Sequence, residues 1–234
     1  MRAGYRAGMN PTINLPISRL PVLAAAVLAT ATACTPAPSS APATPAPDAA
    51  VPVASASRET PADTFMANLG ALCGQAFAGR IVADTPPPTG DDAFAGKALV
   101  MHVRECGDDA IRVPFHVGED RSRTWVLTRT DTGLRLKHDH RHEDGSADAI
   151  TMYGGDTVDV GSATRQEFPV DAGSVAMFTA ADMTASNSNT WAMELQPGDT
   201  FVYELSRPGG RLFRVEFDLT RPVAPPPPPW GATG

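Results

Sequence analysis

"RLFRVEFDL", residues 211–219, alternates without a break. Phe213, Val215, Phe217 and Leu219 fall on one face of an extended chain, and Arg214, Glu216 and Asp218 on the other. Successive side chains of a strand point to opposite sides, so a period of two describes a strand with one face in a core and one in water. The same signature recurs upstream: Trp191, Met193 and Leu195 alternate within residues 190–195, and Trp125 and Leu127 within 124–129. "SRPGG" (206–210) joins a strand over 200–205 to the one over 211–219, and "TDTG" (130–133) joins 124–129 to 134–142. Both are hairpin turns by composition.

Further strands are expected over 75–83, 97–105, 110–117, 149–153 and 165–170, with "VAMFTAADM" (175–183) as another segment of the series. The glycines of "TMYGGDT" (151–157) follow a strand and precede no helix, which indicates a bulge or sharp corner rather than a phosphate loop. One helix is expected, in "TPADTFMANLGALCG" (60–74): Phe65, Leu69 and Leu72 recur at helical spacing, Thr60 or Asp63 can cap it, and Gly70 and Gly74 limit it. The fold class is therefore all-β: an antiparallel meander β-barrel or clam of about nine to ten strands with a short N-terminal helix. Closure of such a meander removes the exposed edges that an open sheet would leave. No internal repeat is evident, and residues 61–222 form one domain.

The ends of the chain differ in composition. Arg2, Arg6 and Arg19 precede a short apolar run, "LPVLAAAVLATATA" (20–33), too short for a spanning helix of about 20 residues. Residues 1–33 have the pattern of a signal peptide. The "ATAC" that ends at Cys34 resembles the lipobox of bacterial lipoproteins, with Ala31 where that family usually carries leucine. The resemblance covers the first 34 residues. It implies lipidation of Cys34, a membrane partner through the lipid anchor and, with Thr35 instead of aspartate next in line, the periplasmic side of the outer membrane. Residues 34–60 read as a Pro/Ala-rich tether, and residues 223–234, with Pro225 to Pro229 in a row, as a disordered Pro-rich tail. The domain between them resembles the calycin barrels (lipocalins, fatty-acid-binding proteins, nitrobindins) in its meander. Its first strand reads "GQAFAG" (74–79), with Phe77 where those families tend to place a tryptophan. That resemblance implies architecture and carries no function.

Net charge is −7, and loss of Arg2, Arg6 and Arg19 with the leader takes it to −10. An acidic chain argues against nucleic acid as a partner. With Cys34 lipidated, Cys73 and Cys106 remain, and in an oxidising compartment they are expected to form a disulfide.

Chemistry concentrates in "RLKHDHRHEDG" (135–145). On one strand Arg135, Lys137, Asp139 and Arg141 face one way, and Leu134, Leu136, His138, His140 and His142 the other. Burying four charges together is prohibitive, so the histidines take the inward face and run toward one mouth of the barrel. Three readings stay open: a site for Zn, Cu or Ni, a pocket for a small polar ligand or for acid–base catalysis, and hydrogen-bonded rim histidines with no ligand. Histidines two apart on a strand lie about 7 Å apart and can share an ion, whereas the third needs a bend or help from Asp144, Asp148, His102 or His116. Only the first half of the His-x-His-x-Asp-His motif of metallo-β-lactamase-like hydrolases is present, since His142 and Glu143 stand where Asp and His are required. No serine motif, phosphate loop or carboxylate pair names a reaction. The expected role is a non-enzymatic binding or structural module of the envelope, with a transition-metal-binding protein or metal-dependent enzyme as the competing reading.

Overall fold

The computed structural model describes residues 59–232 except Asp91. The expected leader, Cys34 with its expected lipid, and the expected tether up to residue 58 lie outside the described residues. The chain runs α1 (Pro61–Gly70), β1 (Ala76–Thr85), β2 (Leu99–His102), β3 (Glu105–Cys106), β4 (Ala110–Val117), β5 (Asp120–Thr130), β6 (Gly133–His140), β7 (Tyr153–Asp156), β8 (Arg165–Pro169), α2 (Ala172–Ala180), β9 (Thr190–Gln196), β10 (Thr200–Arg207) and β11 (Arg211–Val223). One antiparallel sheet takes the order β7-β6-β5-β4-β2-β1-β11-β10-β9-β8, with β3 paired to β4 beside that path. The expected meander barrel is what forms. There are eleven strands rather than nine or ten, because the stretch 97–105 breaks after His102 into β2 and β3.

The first and last strands meet. β1 pairs with β11 from Ala76↔Val223 to Thr85↔Leu212, so the sheet curls on itself. The alternation in β11 does what its sequence demands: Phe213, Val215, Phe217 and Leu219 are buried in the core. Between β7 and β8 the ladder stops, and the chain after β8 bridges the gap. Asp171 N–H donates to Gly154 O at 2.9 Å, Gly154 N–H donates to Ser174 Oγ at 2.8 Å, and the Lys137 ammonium pairs with the Asp171 carboxylate. Gly154 and Gly155 permit this approach, since a Cβ on Gly155 would stand 1.7 Å from Pro169 O.

α1 closes one end of the barrel. Thr60 and Asp63 form a capping box at its start, and Asp63 also pairs with Arg129 of β5. Phe65, Met66 and Leu69 then enter the same core as Ile111, Leu127 and Leu134. The expected disulfide is present at this end and ties Cys73, just past α1, to Cys106 of β3.

Four expectations need correction. "VAMFTAADM" is no strand. It supplies most of α2, whose N-cap Asp171 accepts from Ser174 N–H, and only Ser174 and Phe178, one helical turn apart, are buried. The strand expected over 149–153 begins only at Tyr153, because Met152 adopts φ 56° and breaks the extended run. β6 ends at His140, so the run to His142 is cut two residues short. The tail, expected to be disordered from residue 223, is held at its far end: Trp230 N–H donates to Arg121 O at 3.1 Å, and Arg121 donates to Pro228 O at 3.2 Å. Since it leaves the sheet beside β1 and reaches β5, the proline run spans the outside of β2 and β4. Proline has no N–H, so this strap leaves few backbone donors to satisfy.

Candidate functional site

The end of the barrel opposite α1 is open and holds a cavity of about 530 Å³. Strand alternation builds its floor. Trp125 on β5, Trp191 on β9 and Tyr203 on β10 all point inward and are buried, and Trp125 stacks on Tyr203 with ring centroids 4.5 Å apart. The walls come from elements that end at the mouth: Phe94 from the 86–98 connection, Tyr153 from β7, Leu205 and Arg207 from β10, and Arg211 from the start of β11. Ile150 and Met183 stand on the loops around the opening, and Met183 is exposed.

His138 sits against the floor, as its inward position on β6 predicted, and is 3% exposed. Its ring stacks on Tyr153 at 4.8 Å. Both ring nitrogens are engaged. Nδ1 lies 3.2 Å from the Tyr153 carbonyl oxygen and Nε2 lies 2.9 Å from the Tyr203 hydroxyl. A carbonyl only accepts, so Nδ1 carries the proton and donates, and the Tyr203 hydroxyl donates to Nε2. Burial raises the Tyr203 phenol well above its usual range and pushes Tyr153 up to about 12, so both remain O–H donors. His140 lies nearer the opening and shares a 3.1 Å hydrogen bond between Nε2 and the Tyr153 hydroxyl. Burial holds its pKa below the usual imidazole value, and the charge of Arg123 adds to this.

His142 departs from the expected inward row. It follows the end of β6, is exposed, and lies 4.0 Å from the Asp148 carboxylate. The turn after His140 reverses the chain, with Arg141 bridging to Ala147, so alternation no longer governs where His142 points. Asp144 spends its carboxylate within that turn, accepting from Ser146 N–H at 2.8 Å and from Ser146 Oγ at 2.6 Å. Asp148 lines the cavity but accepts from Ile150 N–H at 2.7 Å. The three histidines and two aspartates proposed for a metal are thus divided among floor, wall and rim. Among the described residues no group of three or more His, Cys, Asp or Glu side chains is placed to hold a metal ion. His138 has no free lone pair to offer, since Nε2 accepts from Tyr203. His102 and His116 are buried away from this site: His116 lies on the outer face of β4, between the inward Phe115 and Val117.

The charged face of β6 does lie outside, with one difference. Asp139 is 4% exposed, enclosed by Arg112 at 2.7 Å and Arg141 at 2.8 Å. Burial of that carboxylate is offset by two guanidinium partners, which hold its pKa below the usual carboxylate value.

His138 makes stability depend on acid. Burial pushes it from 6.5 down to about 3, with the His140 charge adding to the effect. Between these values the unfolded chain binds a proton that the folded chain refuses, so stability is full above about pH 6.5 and falls as pH drops toward 3. From about pH 7 to pH 5 the loss from His138 alone is expected to be roughly 2 kcal/mol. Urea melts at the two pH values measure it, and His138→Gln should remove about that much of the difference. An unchanged difference in the variant would mean that His138 is not held neutral in the fold.

Alternation within 200–205 was sufficient to place Tyr203 inward beside Phe201 and Leu205, but nothing local said that its hydroxyl would meet His138 from across the barrel. Tyr153 was hidden by its place next to two glycines. Arg207 lies at the edge of a turn motif, where an arginine ordinarily faces solvent. The chain matches no family model, no curated protein and no solved structure.

Proposed function

We propose that this chain is a small-molecule-binding barrel, non-enzymatic, held at the cell envelope by a lipid on Cys34 and a flexible tether. The single observation that supports binding is the open cavity of about 530 Å³ at one end of a barrel whose other end α1 plugs. That volume lies within the range of sites for drug-sized ligands, and its composition suits them too: apolar and aromatic walls with a few fixed polar groups. Phe94, Ile150, Tyr153 and Leu205 supply the apolar surface. His140 and Tyr153, already hydrogen-bonded to each other, supply oriented polar atoms. The envelope assignment rests on the charged and apolar leader, the lipobox-like "ATAC" and the Cys73–Cys106 pair.

The test uses N-phenyl-1-naphthylamine, a neutral apolar dye whose emission rises on leaving water. With Cys34→Ala chain, which takes lipid out of the measurement, the expected result is saturable binding to one site per chain. Ile150→Trp, which places a larger ring at the opening, should weaken it roughly tenfold, or about 1.4 kcal/mol, with little change in melting temperature. Absence of saturable binding, or binding indifferent to Ile150→Trp, overturns the reading.

A further inference from the structure

Three arginines line the cavity, and they are not equivalent. Arg123 pairs with Asp120 at 2.5 Å, and its guanidinium carbon lies 5.8 Å from the Phe94 ring centroid. Arg211 pairs with Asp84 and also donates to the backbone oxygens of Thr85 at 3.3 Å and Pro86 at 3.4 Å. Arg207 has no carboxylate partner among the described residues. Its Nε donates to Asn189 Oδ1 and one Nη2–H to Ser186 Oγ at 3.4 Å. Asn189 and Ser186 are buried, so they fix the guanidinium from behind. A guanidinium carries five N–H donors in a rigid fork, and these two bonds leave three uncommitted in the cavity wall.

A half-buried cation with neutral partners is in an unsatisfied position. Burial and the neighbouring charge of Arg211 both weigh against it. Three carboxylates also line the cavity: Asp84 is neutralised by Arg211, while Asp92 and Asp148 each have one oxygen committed to a backbone amide, of Phe94 at 2.9 Å and of Ile150 at 2.7 Å. None forms an ion pair with Arg207. The complement of this site is an anionic oxygen on an apolar body. The body would lie on Phe94, Tyr153 and Leu205, and the acid would meet the Arg207 fork through charge-assisted hydrogen bonds.

We infer that the cavity selects aromatic acids, with Arg207 as the residue that recognises the acidic group. This rests on the small-molecule-binding reading and goes beyond it by naming the ligand class and its anchor.

Two dyes with the same ring system separate the parts. 8-Anilino-1-naphthalenesulfonate carries an anionic group that N-phenyl-1-naphthylamine lacks. The anionic dye is expected to bind the Cys34→Ala chain about tenfold more tightly than the neutral one, with an advantage that shrinks as salt is raised. Arg207→Gln should weaken the anionic dye at least about tenfold and leave the neutral dye within about twofold. Arg207→Lys, which keeps the charge without the fork, should recover part of the loss. Should Arg207→Gln fail to fold, the salt dependence in the parent chain and the Arg207→Lys variant carry the same comparison. If neither dye binds saturably, the binding reading itself fails. If the neutral dye binds as expected but the anionic dye gains nothing, or loses no more than the neutral dye when Arg207 is changed, the binding reading stands and the inference about acids is overturned.

Discussion

Gly155→Ala is expected to cost roughly 4 kcal/mol of folding stability. The added Cβ would stand 1.7 Å from Pro169 O and 2.7 Å from Pro169 C, both backbone atoms. Neither can rotate away as a side chain would. Relief requires the 169–171 backbone to move, and that segment is held on both sides: Val170 N–H donates to Asn189 O at 2.9 Å and Asp171 N–H to Gly154 O at 2.9 Å. Moving it breaks the Asp171–Gly154 link across the gap between β7 and β8 and unseats the Asp171 cap of α2. For a domain of this size the loss corresponds to a fall in melting temperature of roughly 10 °C. Urea and thermal melts measure it, with Gly90→Ala as the comparison, since nothing lies within 4 Å of a Cβ there. If Gly155→Ala melts with the parent, the seam is open and the barrel is not closed through Asp171.

Removal of the disulfide by Cys73→Ser together with Cys106→Ser is expected to cost roughly 3.5 kcal/mol. The bridge spans 33 residues. In the chain-entropy description most of that cost appears because the unfolded chain regains freedom, not because native contacts are lost. The native packing beneath the bridge fits this view: Phe65 and Leu69 are fully buried among core side chains and do not depend on the sulfurs for their contacts with Ile111, Leu127 and Leu134. The double variant should therefore keep the near-UV circular dichroism of its buried tryptophans while its urea midpoint falls. A reducing agent should shift the parent to the same midpoint. If it leaves the parent unchanged, the two thiols are not joined in the folded protein.

Most of the barrel was legible in the sequence because its strands have one wet face and one dry face. β4, β5, β9, β10 and β11 fall where alternation and turn residues placed them, within a few residues at each end. The reading failed where alternation is not the governing constraint. In α2 the short apolar residues suit a strand or a helix equally, and the choice is made by Asp171 capping the chain as it crosses the seam. After His140 a turn ends the strand, so the periodicity that put His138 inward had no hold on His142. The tail contains nothing that predicts order; it is held by bonds to Arg121, more than a hundred residues earlier in the chain.

For the site the division is similar. Taken alone, the sequence determined the all-β class, the inward direction of His138, His140, Trp125 and Trp191, and the pairing of the two domain cysteines, because each follows from a local period or a simple count. Only the tertiary structure decided what those side chains meet. The bond of His138 to Tyr203 spans 65 residues, and the Asp84 that neutralises Arg211 lies 127 residues away. Among the described residues no acidic side chain from another strand reaches Arg207, which leaves it with the neutral partners Asn189 and Ser186. Pairing across a closed sheet is a property of register and curvature. Neither is written in the local sequence around a residue, so a histidine row that looked like a metal site became part of the floor and wall of a cavity.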